Sequence, residues 1–257
     1  MAGSLQPRPA RNLTFGLLDS LGVAIVTGRY GACSFPTEAE LAQAHGVSRS
    51  VTREAVKMLA AKGLVSARPR QGTQVRPATE WNLFDPDVLR WLLERQFSLD
   101  LLRHFTQLRL AIEPEAAALA ARAADDGDRA AVAAALERMA EADRGHGDVL
   151  EADIGFHVAV LRAARNPFYA QFRDVVATAL RKSIRFTNRI KGHSASIAEH
   201  RAVLDGIAAR DPAAAREAMR VLIGNVLALI DGVGEVDAAD GDESSSGLVG
   251  SIRRRSP

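Results

Sequence analysis

Asp153 and His157 stand four residues apart, so a helix puts this carboxylate and imidazole on one face. The rest of that face is Val149, Phe156, Val160 and Ala164, an apolar stripe that must turn inward. The same anomaly occurs twice more. After Ser194, the stripe Ile197, His200, Leu204 and Ile207 carries an imidazole; after Ser98, the stripe Phe105, Leu108, Arg109, Ile112 and Leu119 carries a guanidinium. Ionisable groups on inward faces are costly unless they meet one another, a metal or a ligand. Singly, each is accounted for by a satisfied core pair such as Asp153 with His157. Together the four point to a ligand site. Arg109 would clamp a carboxylate bidentately, while Asp153, His157 and His200 would hold hydroxyls or a divalent ion.

A second constellation lies near the N-terminus. In Ser48-Arg49-Ser50-Val51-Thr52-Arg53-Glu54, two arginines fall one helical turn apart, opposite Val51, Ala55, Met58 and Leu59. Arginine matches guanine O6/N7 and phosphate better than any other side chain. Pro36-Thr37-Glu38-Ala39-Glu40 opens the preceding helix with Thr37 as N-cap and Glu40 closing a capping box; Gly46 ends it, and Ser48 caps the next. Helix, tight turn and helix, followed by a hairpin around Arg68-Pro69-Arg70-Gln71-Gly72, make a winged helix-turn-helix. The candidate DNA-binding residues are Ser48, Arg49, Ser50 and Arg53 at the start of the recognition helix, and Gln71 and Gly72 on the wing.

Charge divides the chain in the same place. Residues 1–79 hold ten Lys and Arg against four Asp and Glu, whereas the remainder holds 23 against 27, so only the front is suited to a polyanion. No stretch reaches the roughly 18 unbroken apolar residues of a membrane span, and residues 1–11 have no apolar core of a secretory signal. The lone Cys33 cannot form an internal disulfide, which fits the reducing cytoplasm.

These features predict a mainly α protein in four segments. A winged helix-turn-helix occupies 13–78, with a helix over Leu13 to Thr27 after a loose arm. A linker and connecting helix fill 79–98. An all-helical effector-binding bundle follows at 99–230, and the tail, 231–257, is Gly-, Ser- and Asp-rich and reads as disordered. About seven helices are expected from Asp87 to Ile230. Asp85-Pro86, Asn166-Pro167 and Asp211-Pro212 mark three helix starts, and Ser98 and Asp128 mark two more.

Phe35-Pro36-Thr37-Glu38-Ala39-Glu40-Leu41-Ala42, Gly46-Val47-Ser48-Arg49, Val51-Thr52-Arg53-Glu54-Ala55 and Gly72-Thr73 resemble the winged-helix signature of GntR-type bacterial regulators. The resemblance implies that Arg49 and Arg53 contact operator DNA and that Gly72 approaches the minor groove. Ala39 stands where many relatives carry a further DNA-contacting arginine. The segment from Glu151 through Asp153 and His157 to Leu161, the Asn166-Pro167 break and Glu199-His200-Arg201 resemble the FCD effector domain of the FadR-type branch. Many such domains hold a metal through one Asp and three His, and the metal holds an organic acid. Asp153, His157 and His200 match three of these ligands, and Leu222 occupies the fourth position. Two histidines and one carboxylate can still hold a divalent ion such as zinc; alternatively the pocket takes its acid through hydrogen bonds alone. Trp81-Asn82-Leu83-Phe84-Asp85-Pro86-Asp87-Val88-Leu89 resembles the linker of regulators of the galactonate-operon type, which respond to a sugar acid.

The expected function is a non-enzymatic, ligand-responsive transcriptional regulator. It would be a homodimeric repressor on double-stranded operator DNA, released by a small organic acid. A helical metalloenzyme using Asp153, His157 and His200 is the alternative. Against it, the chain has no HExxH, no GxSxG and no phosphate-cradling glycine loop. A DNA-binding architectural protein without an effector would leave the inward Arg, Asp and His without a purpose.

Overall fold

The computed structural model describes residues 10–30, 35–68, 72–95, 98–191 and 196–246. The arm up to residue 9, Cys33, the wing residue Gln71 and residues 247–257 lie outside them. The chain divides into two units, Met1–Phe97 and Ser98–Pro257. Among the described residues, no helix is long and apolar enough to cross a membrane.

The first unit contains α1 (Ala10–Val26), α2 (Glu38–His45), α3 (Arg49–Ala61), β1 (Val65–Arg68), β2 (Gly72–Val75), a 3-10 turn (Ala78–Glu80) and α4 (Pro86–Arg95). Local chemistry sets the α2–α3 turn. The Thr37 hydroxyl accepts the Glu40 N–H, and the Glu40 carboxylate accepts the Thr37 N–H at 2.8 Å. Gly46 ends α2 at φ 62°, in the left-handed region that a Cβ disfavours. Ser48 Oγ then accepts the Val51 N–H at 3.3 Å and starts α3. The wing strands pair antiparallel, Val65 opposite Val75 and Arg68 opposite Gly72. At its other end α1 begins at Ala10, inside the segment expected to be a loose arm. Extending a helix by one residue is far easier than nucleating one, so helix runs past the apolar stripe that specifies it.

The connecting helix expected within 79–98 is α4, and it packs into the core of this unit. Val88 and Trp91 of α4 share one buried cluster with Leu18, Leu21 and Ile25 of α1. Trp91 Nε1 donates to Asp19 Oδ1 at 2.7 Å, and Arg90 donates to the same oxygen at 2.6 Å. Lys62 pairs with Asp85 at 2.9 Å and Asp87 at 2.8 Å, fastening the end of α3 to the start of α4. The indole lies so close to α1 that a Cβ at Gly22 would come within 2.5 Å of its ring. Gly22→Ala must push aside a buried, hydrogen-bonded indole. It is expected to destabilise this unit by about 1–3 kcal/mol, read as a lower urea midpoint. An unchanged midpoint would mean that α4 is not clamped to α1.

The second unit is helical throughout: α5 (Leu99–Ala123), α6 (Asp126–Asp143), α7 (Val149–Ala163), α8 (Pro167–Lys191), α9 (Ile197–Ala208) and α10 (Pro212–Ser246). With α4 these make seven helices among the described residues of the region, as expected. The Asx-Pro starts work as caps: Asp85, Asn166 and Asp211 each accept the N–H two residues on at 2.9 Å. Ala117, Ala120 and Ala121 of α5 share a core with Phe156 and Val160 of α7 and Met219 of α10. At the α9–α10 crossing, a Cβ on Gly206 would meet the Ala215 backbone nitrogen at 2.6 Å.

Two expectations are corrected here. Asp125, not Asp128, caps α6; Asp128 sits at the third helical position and closes the capping box. Arg165, from a segment far along the chain, pairs with both carboxylates and stabilises that arrangement. The tail expected to be disordered from residue 231 continues α10 as helix to Ser246. Ile230 is fully buried and Asp231 accepts from Arg103 Nε at 2.6 Å, so packing anchors the helix there. Beyond that anchor each residue needs only a propagation step.

Candidate functional site

Three helices bring the inward ionisable groups together. Arg109 comes from α5, Asp153 and His157 from α7 and His200 from α9, and all four line one small cavity of about 60 Å³. Ser183 and Leu180 of α8 and Leu222, Ile223 and Val226 of α10 close it. Leu222, at the fourth ligand position of the resemblance, thus gives the cavity an apolar wall.

The hydrogen bonds specify how the two imidazoles face. His200 Nδ1 lies 2.9 Å from the Ser196 carbonyl oxygen, which can only accept. Nδ1 therefore donates, and Nε2 is the nitrogen that faces the cavity. His157 Nδ1 lies 2.6 Å from Glu113 Oε2, and by the same logic it donates to that carboxylate. Nε2 of His157 and Nε2 of His200 then face Asp153 Oδ1 at 3.3 and 3.6 Å. Phe156, fully buried, packs edge-on against the His200 ring with centroids 4.9 Å apart.

Asp153 Oδ1 and His200 Nε2 are buried without a hydrogen-bond partner. A carboxylate oxygen and an imidazole nitrogen buried without a hydrogen bond are costly. One oxygen and two nitrogen donors, each imidazole held from behind by an acceptor, are also what a divalent ion requires. Asp153, His157 and His200 offer their ligand atoms within 4.8 Å of one another and fit such an ion.

Glu113, one turn beyond Arg109 on α5, is a site residue that sequence reasoning missed. It is 1% exposed and accepts from Arg109 Nε at 2.5 Å as well as from His157. The signal was present, since Arg109 and Glu113 are an i,i+4 pair of opposite charge. Burial would raise the Glu113 pKa, but the adjacent Arg109 and His157 charges hold it down at about 2. Burial likewise opposes ionisation of Asp153, and the two facing imidazoles overcome it, keeping that carboxyl below its ordinary range. His157 is pushed the other way: burial opposes its protonation, and the Glu113 charge more than offsets this. Arg109 Nη2 lies 3.3 Å from both His157 ring nitrogens. Arg109 therefore reaches the cavity as expected, but with its Nε and Nη2 already engaged inside the protein.

In the first unit, α3 buries Val51, Thr52, Ala55, Val56 and Leu59 and turns Arg49, Ser50 and Arg53 outward. Neither arginine forms an ion pair among the described residues, whereas Lys57 is held by Glu54 at 3.0 Å. The Ser48 hydroxyl is committed to capping α3, and Gly72 is exposed at the start of β2.

Residues 18–75 match the family described as bacterial regulatory proteins, gntR family, and residues 104–225 match the FCD domain. The galactonate operon transcriptional repressor of Escherichia coli (strain K12) is 33% identical over 217 residues, covering 82% of this chain and 94% of that protein. The uncharacterized HTH-type transcriptional regulator YieP of the same organism is 31% identical, covering 83% and 93%. Among solved structures, Lar, which controls the expression of the Listeria monocytogenes agr system, shares the fold. Its TM-score is 0.55 at 17% identity, with 89% of this chain and 98% of that one covered. The matched families and relatives are regulators, not enzymes, so the metalloenzyme alternative is not favoured.

Proposed function

The chain belongs to the GntR family of bacterial regulatory proteins and carries an FCD domain, so it is a DNA-binding transcriptional regulator, and we propose that it is a cytoplasmic repressor released from its operator by a sugar acid. The observation that carries this reading is the pair of buried atoms without a hydrogen-bond partner, Asp153 Oδ1 and His200 Nε2, facing a cavity between five helices. Asp153, His157 and His200 would hold one divalent ion such as zinc, which would supply positive charge for a carboxylate. The free end of the Arg109 guanidinium orients the same carboxylate.

A cavity of about 60 Å³ admits an ion and water, whereas sites for small molecules run to roughly 300–1,000 Å³. A six-carbon acid therefore enters by displacing the apolar wall of Leu180, Leu222 and Val226. This displacement makes the acid favour one conformation, and an effector shifts an equilibrium only by such differential affinity. On the DNA side, Arg49 and Arg53 read base edges in the major groove, while Ser50 and the wing residues Gln71 and Gly72 contact the backbone or minor groove. One recognition helix reads only a few base pairs, so the chain works as a homodimer on a near-palindromic site.

Fluorescence anisotropy with the DNA upstream of the protein's own gene, at fixed ionic strength, tests this. Galactonate at millimolar concentration is expected to weaken binding at least about tenfold. Protein stripped with a chelator should bind the DNA as before and no longer respond. Release that survives the chelator would replace the ion with direct hydrogen bonding. No response to galactonate or other aldonic acids would overturn the effector reading.

A further inference from the structure

Glu113 is a buried carboxylate outside the ligand set, yet it touches two residues of the site. It accepts the His157 Nδ1–H at 2.6 Å and the Arg109 Nε–H at 2.5 Å, bridging α5 to α7. Resting on the reading that Asp153, His157 and His200 hold a divalent ion, we infer that Glu113 is a positioning residue for that ion. It fixes the His157 ring with Nε2 toward Asp153 and compensates the Arg109 charge beside that ring.

The physical case has three parts. A histidine offers a metal only the nitrogen that bears no proton, so an acceptor behind Nδ1 selects Nε2 as the donor. A carboxylate in that role also raises the basicity of the opposite nitrogen, more than a neutral acceptor would. The Ser196 carbonyl does the first of these for His200, and only His157 has the charged version. Finally, Arg109 Nη2 sits 3.3 Å from both His157 ring nitrogens, against the face of the ring, where its charge would oppose a cation bound at Nε2. The Glu113 oxygens hold the guanidinium at Nε and, at 3.4 Å, at Nη2, and so compensate its charge away from the ion. A buried ion pair serving stability alone would need Arg109 and Glu113 but not the bond across to α7.

The test is Co²⁺ titration of the full-length protein, followed by visible absorption, with the thermal midpoint of the metal-free form measured alongside. Glu113→Gln keeps an acceptor without the charge. The pair Arg109→Met with Glu113→Leu removes acceptor and ion pair together, and apolar replacement of a buried pair is generally tolerated by the fold. Co²⁺ affinity is expected to fall about tenfold in Glu113→Gln and up to about a hundredfold in the pair. The absorption bands should shift in both, while the metal-free midpoint of the pair stays near wild type. Unchanged affinity and spectrum in Glu113→Gln and in the pair would overturn the inference. Loss in the pair alone would assign the effect to Arg109 and overturn it as well. If the wild-type protein takes up no Co²⁺, the ion itself falls, and this inference falls with it.

Discussion

Arg109→Ala is expected to destabilise the effector-binding unit by about 3–5 kcal/mol, because it strands a buried carboxylate. Glu113 is 1% exposed, and among the described residues its two oxygens are held by Arg109 and His157 alone. Without the guanidinium, its ionised form loses its principal counter-charge while it remains buried. Either Glu113 takes up a proton or His157 must carry a full charge between Glu113 and Asp153, and both alternatives cost stability. Urea unfolding of the metal-free protein, followed by helical circular dichroism, measures the loss. A change below about 1 kcal/mol would mean that His157 alone compensates Glu113, leaving Arg109 available to a ligand. The result also guards against a misreading: loss of effector response in Arg109→Ala would reflect a damaged unit as much as a missing carboxylate clamp.

Arg49→Ala should weaken operator binding by about 1–3 kcal/mol, roughly 5- to 150-fold, if its guanidinium makes a bidentate base contact. Arg49 is exposed at the first turn of α3, with no ion pair among the described residues to restrain it. The decisive comparison is operator against random duplex at matched salt, since phosphate contacts alone lower both equally. A selective loss on the operator assigns Arg49 to base reading. An equal, small loss on both makes it a phosphate contact, and no loss removes it from the interface. Stability should change little, because the side chain is solvated.

Much of this protein was legible in the sequence because its determinants are local. Thr37 with Glu40, Ser48, Ser98 and the three Asx-Pro pairs cap helices through bonds spanning two or three residues, and the structure contains each of them. Asp153 and His157 share a face by helical geometry alone, and three apolar stripes bearing ionisable groups had to converge somewhere. Both units, the winged turn and four residues of the cavity follow from those short-range rules.

What the tertiary structure decided depends on groups distant in sequence. Glu113 joined the site only because α7 places His157 against it, 44 residues away. The direction of each imidazole was settled by an acceptor behind it, and an apolar stripe says nothing of acceptors. The connecting helix became core because Trp91 finds Asp19 and Gly22 on α1, at 72 residues' separation for the hydrogen bond. Asp125 displaced Asp128 as the cap of α6 where Arg165 bonds both. Periodicity and capping specify which face of a helix is buried. Which partner a buried charge meets there is set by packing between helices, since only contact in the interior makes an ion pair or a tautomer favourable.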